Sequence, residues 1–218
     1  MILDFNNNIS EFSKTGRIIE LVALFVLLPI MLVLPLHIGI KISVFVSGFI
    51  YVIYHVLKTK LYKNIFIFEL PTKLFLKRMI LVGLFIFIGG AIIVYSYDSS
   101  LLFSIVKEKP HIWIIILFVY TLLSVIPQEI IYRHFFFKRY EYIFQNKKLF
   151  LLVNMFCFSL CHLFLLNGFV LILTFFGGGL FAYTYQQEKS MLWVCAEHAL
   201  YGYLIFTVGA GDMLAFPT

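Results

Sequence analysis

Three short stretches hold the side chains in this sequence that could do chemistry: Pro127-Gln128-Glu129-Ile130-Ile131-Tyr132-Arg133, Phe158-Ser159-Leu160-Cys161-His162 and Glu197-His198. Glu129 and Arg133, four residues apart, share a helix face and can neutralise each other. The amide of Gln128 adds a hydrogen-bonding group beside them. The other two stretches each place an imidazole inside an apolar run. One carboxylate and two imidazoles are the parts of a hydrolytic site, in which one group takes a proton from water while the others orient it and stabilise developing charge.

The elements that must position these residues are membrane spans. With 62% hydrophobic and 13% charged residues and a mean hydropathy of +0.98, the chain is too apolar for a soluble domain of 218 residues. Its continuous apolar runs, about 17 to 20 residues each, match the length of a helix crossing a bilayer core. Their lack of alternation excludes a β-barrel. The expected fold is all-α, a polytopic transmembrane helical bundle of about seven spans. These fall at 18–34, 38–57, 79–97, 111 through the Glu129 motif, 149–166, 168–185 and 191–208. The fourth can run on to Phe136. Lys14 and Arg17 precede the first span like the front of a signal peptide, but its apolar stretch is longer than an h-region and no small-residue cleavage site follows, so it is retained. The chain reads as one integral membrane domain, 1–218, with the chemistry concentrated in 111–211.

Of the 17 lysines and arginines, all but Lys41, Lys107 and Lys109 fall on one side if the N-terminus is cytoplasmic. This asymmetry predicts a cytoplasmic N-terminus and an external C-terminus. It also accounts for the net charge of +6 without nucleic acid, because basic loops can rest on anionic headgroups of the bilayer. The connection 58–78 is interrupted by Ile65-Phe66-Ile67-Phe68 and is expected to lie at the interface as an amphipathic segment. Cys157, Cys161 and Cys195 form neither a CxxC pair nor a zinc ribbon. Cys161 and His162, as helix neighbours, point about 100° apart, which argues against a thiol–imidazole pair. His37, His55, His111 and His134 lie near span ends and are expected at the interface, with Glu20 reaching headgroups. Asn154 shares a face with His162. Gly89-Gly90 and Gly177-Gly178-Gly179 suit close helix packing.

The ordered patterns Gln128-Glu129-x-x-x-Arg133, Phe158-x-x-x-His162 and His198-x-x-x-Gly202 resemble those of the CAAX-processing and bacteriocin-immunity (CPBP, or ABI) intramembrane proteases: EExxxR, FxxxH and HxxxN. The resemblance covers roughly 126–211 and implies an intramembrane peptidase. Two positions depart from it. The glutamate assigned in the family to water activation falls on Gln128, whose amide is no general base near neutral pH. The asparagine thought to help bind the oxyanion falls on Gly202.

The expected reaction is peptide hydrolysis by activated water, with Glu129 as base and His162 and His198 orienting water and stabilising charge. Gln128, Arg133 and Glu197 support them, and Glu197 is the second choice of base. By residue type, His162, His198 and Glu129 also make a three-ligand zinc set with an open position, while the resemblance equally permits a metal-free reaction; the arginine beside Glu129 tips the expectation to no tightly bound metal. Expected substrates are peptides or membrane-associated proteins in a bacterial plasma membrane, in peptide processing or bacteriocin immunity. Two other readings compete. One is a catalytically inactive pseudoprotease that binds a partner, which the two departures favour. The other is a transporter using His and Glu as a proton relay, for which no inverted repeat is found.

Overall fold

A computed structural model describes residues 13–59, 66 and 69–211. Among these, all regular structure is helical, and six helices are long and apolar enough to cross a membrane. They are α1 (Lys14–Val33), α2 (Ile38–Lys58), α3 (Lys73–Tyr97), α4 (Pro110–Ile143), α5 (Lys147–Leu165, whose last turn is separate) and α6 (Gly168–Glu188). A seventh, α7 (Met191–Thr207), is one turn shorter than most of these and buries its middle among the others. The outer surface is apolar, with Phe85 and Leu123 three-quarters exposed, whereas Arg17, Arg133, Glu129 and Glu197 are buried inside. That inversion suits a lipid surround, where the polar groups must find each other within the bundle. The expected interfacial segment at 65–68 lies almost wholly outside the described residues.

Local sequence explains the helix ends and their irregularities. Thr72, Asn146 and Asn167 cap α3, α5 and α6, their side chains accepting backbone N–H groups of the first turn. Glu188, at the end of α6, accepts from both the backbone N–H and the hydroxyl of Thr72, tying α6 to the start of α3. Asp98 ends α3 by accepting from the Ser100 N–H and hydroxyl, bonds that hold its carboxyl below the usual carboxylate range. Pro29 and Pro127 lie inside α1 and α4, where each lacks an N–H and crowds the carbonyl four residues back. A widened π-turn precedes each, at Ala23–Leu27 and Thr121–Val125, and relieves that crowding. A second π-turn, Ile130–Phe135, follows Glu129 directly, and α4 continues to Ile143, well beyond Phe136. Glu129 thus sits on a single regular turn, Ile126–Glu129, between two bulges.

The triple glycine brings α6 hard against α5. A β-carbon on Gly178 would lie 3.0 Å from the ring of Phe158, and one on Gly179 would lie 2.9 Å from Met155 Cε. Several sequence expectations are corrected here. Glu20 does not reach headgroups. It is buried and accepts from Arg17, from the Arg139 guanidinium and from the Tyr140 hydroxyl. His55 and His134 are buried as well, His55 beside Arg139 and His134 against the Tyr185 hydroxyl. Glu20 and His55 are covered because α1, α2 and the long C-terminal end of α4 pack together, and His134 because α6 lies against α4 there, so side chains at span ends meet protein before they meet solvent.

Candidate active site

Four helices build the site. α4 supplies Tyr120, Gln128, Glu129 and Arg133; α5 supplies Asn154, Phe158 and His162; α6 supplies Phe181; α7 supplies His198 and Gly202. Glu129 is fully buried, and its Oε1 lies 2.7 Å from His198 Nδ1. Its Oε2 lies 3.2 Å from Arg133 Nε, also fully buried. Arg133 Nη1 donates to Asn154 Oδ1 at 3.1 Å, and Asn154 Nδ2 donates to the Tyr132 carbonyl at 2.7 Å. Asn154 therefore orients the arginine, which orients the carboxylate, which orients the imidazole. The guanidinium also lies over the Phe158 ring, 4.5 Å from its centroid.

The His198 ring stacks on Phe181 at 4.3 Å between centroids and meets Phe158 edge-on at 5.7 Å. His162 meets the same Phe158 ring at 5.2 Å, so one phenyl ring holds both imidazoles and the site arginine. The structure thus brings Glu129, Arg133, His162 and His198 around Phe158. His162 reaches it by leaving the helix. The α-helix ends at Leu160, and His162 lies in the turn beyond, with Nδ1 3.0 Å from the Phe158 carbonyl. This corrects the expectation of a histidine inside the helix itself. It also corrects the argument from helical divergence, because in the turn Cys161 Sγ comes within 3.3 Å of His162 Nδ1. That nitrogen donates to the Phe158 carbonyl, so it is no base for the thiol. Both histidines consequently have Nδ1 engaged, which leaves Nε2 as the nitrogen able to take a proton.

The remaining expected residues divide. The Gln128 Nε2 donates to Ser124 Oγ at 2.9 Å, and its Oε1 is buried without a partner among the described residues. Glu197 turns away from this centre. It accepts from Arg78 Nη2 at 3.1 Å, from the Tyr201 hydroxyl at 2.9 Å and from Thr184, which Arg78 also contacts. An intramembrane glutamate that had no evident cation in the sequence has one from α3, and the two carboxylates on neighbouring sites serve separate arginines. As for zinc, Glu129 has one oxygen on His198 and the other by Arg133, leaving at most two histidine ligands. Among the described residues no group of three or more His, Cys, Asp or Glu side chains is arranged to hold a metal ion. The donor set does not fit a three-ligand site.

Phe181 and Tyr120 were not singled out in the sequence. Phe181 is one aromatic among 26 phenylalanines, and no periodicity marks it. Tyr120 is brought to the site by the π-turn, which leaves no composition signal.

A helical bundle with a buried carboxylate–imidazole pair and a second imidazole against one phenyl ring holds the groups that general acid–base chemistry uses. Residues 110–204 match the family model described as Rce1-like, type II CAAX prenyl endopeptidase Rce1-like. That segment, a little under half of the chain, is similar to the type II CAAX prenyl endopeptidases that the model describes, and it contains every residue of the centre just described. No curated protein and no solved structure matches the chain.

Proposed function

We propose that the protein is an intramembrane endopeptidase that hydrolyses a peptide bond in a membrane peptide or membrane-associated protein, in peptide processing or bacteriocin immunity. One observation carries the reading: the 2.7 Å contact between Glu129 and His198 Nδ1 in a fully buried setting, beside His162. With its Nδ1–H held by the carboxylate, His198 takes a proton from water at Nε2, and Glu129 stabilises the imidazolium. His162 Nε2 accepts the other water hydrogen and aims the oxygen at the carbonyl carbon. His198 then protonates the leaving amine as the C–N bond breaks. The base is His198 rather than Glu129, because Glu129 is already committed to His198 and Arg133. Gln128 Oε1, buried and unpaired among the described residues, accepts from the water or from a substrate N–H. No step requires a metal. The basic-residue asymmetry supports an orientation with the N-terminus cytoplasmic.

The test uses purified protein in liposomes and a set of quenched fluorescent peptides containing transmembrane segments. Turnover by the wild type that is lost in His198→Ala supports the reading. Binding without turnover sinks it, and assigns the pseudoprotease role that the Gln128 and Gly202 departures favour.

A further inference from the structure

The reaction just described needs a hydrogen-bond donor for the oxyanion, and the position one turn beyond His198 on α7 is Gly202, which has no side chain. The structure shows what occupies that space. A β-carbon built on Gly202 would overlap the hydroxyl oxygen, Cζ and Cε1 of Tyr120. The Tyr120 ring meets His198 edge-on at 6.0 Å between centroids and Phe206 at 5.4 Å. Its hydroxyl makes no hydrogen bond among the described residues. A half-buried phenol without a partner costs free energy unless something else accepts its proton. A glycine in mid-helix is less favourable than alanine, and here it makes room for that phenol.

The backbone of α4 is built to the same end. In a regular α-helix Tyr120, nine residues before Glu129, would point about 180° away from it. The π-turn at Thr121–Val125 takes up roughly one extra residue and brings Tyr120 to within about 80° of Glu129. Both side chains then face α7. We propose that Tyr120 is a catalytic residue, its hydroxyl donating to the oxyanion of the tetrahedral intermediate from the space over Gly202. The proposal rests on the hydrolytic reading above.

The experiment measures kcat and KM of liposome-reconstituted variants on the best-cleaved quenched transmembrane peptide, with His198→Ala as control and melting temperature as a check on folding. Tyr120→Phe removes only the hydroxyl and is expected to lower kcat by roughly 10²- to 10³-fold with KM little changed. Gly202→Asn alone collides with the phenol and loses activity. Tyr120→Ala combined with Gly202→Asn, which puts an amide donor into the vacated space, is expected to recover at least about a tenth of wild-type kcat. If Tyr120→Phe does not fold, replacement by 3,5-difluorotyrosine keeps the shape and makes the phenol more acidic. The kcat profile must then fall at lower alkaline pH than in the wild type. Wild-type kcat in Tyr120→Phe, or an unmoved profile with difluorotyrosine, while His198→Ala is inactive, overturns the role of Tyr120 and leaves the hydrolase reading standing. Absence of turnover in the wild type overturns both.

Discussion

Replacing Glu129 by Gln perturbs two things at once, and the structure gives a magnitude for each. Arg133 is fully buried, and among the described residues its only carboxylate contact is Glu129 and its Nη2 has no partner. Asn154 and the Phe158 face remain after the substitution, but no counter-charge does. Removing one member of a buried pair costs roughly 3–5 kcal/mol, which is at least about a hundredfold in the folding equilibrium. The catalytic effect is separate. An amide at this position can donate to His198 Nδ1 and so drive the proton to Nε2, the nitrogen that must accept one. Where a carboxylate orienting a catalytic imidazole is so replaced, the loss is about 10⁴-fold in kcat. The two effects come apart in the double variant Glu129→Gln with Arg133→Met, which removes both charges. Most of the lost stability returns, and the activity does not. Stability is read from detergent-titrated unfolding followed by the fluorescence of Trp113 and Trp193, and activity from peptide turnover in liposomes. Undiminished stability in the single variant, or recovery of activity in the double one, refutes the reasoning.

Three further outcomes are expected. Glu197→Gln weakens the junction of α3, α6 and α7 through the loss of its Arg78 pair, lowering the melting temperature while leaving kcat within about threefold of wild type; a loss of activity as large as that of Glu129→Gln would place Glu197 in the reaction. Exhaustive chelation leaves turnover intact, because Glu129 is engaged by His198 and Arg133; stoichiometric zinc with activity lost on chelation and regained on its addition would contradict this. Reporter fusions after Lys60 and Lys148 read cytoplasmic and one at Thr218 reads external, and a cytoplasmic reading at Thr218 would refute the seven-span topology.

The sequence by itself determined the medium, the helical class and the identity of the chemical groups. Apolar runs of bilayer length leave the backbone no choice but helix, and a charged or imidazole side chain in such a run is conspicuous because lipid offers it no partner. Glu129, Arg133, His162 and His198 were therefore legible from their surroundings alone. The tertiary structure decided which groups partner which. Glu129 and Glu197 are equivalent by residue type and depth, and they differ only because α7 places His198 against α4 and Glu197 against Arg78 of α3. Glu20 and His55 looked interfacial because burial depends on what packs across a span end, and the end of α4 covers them. The π-turns and the helix break before His162 change the phase of side chains by a large fraction of a turn, so an even 100° per residue misplaced the Cys161–His162 pair and gave no sign of Tyr120. Helical phase accumulates residue by residue, and one inserted residue, set by a proline and its packing, redirects everything beyond it.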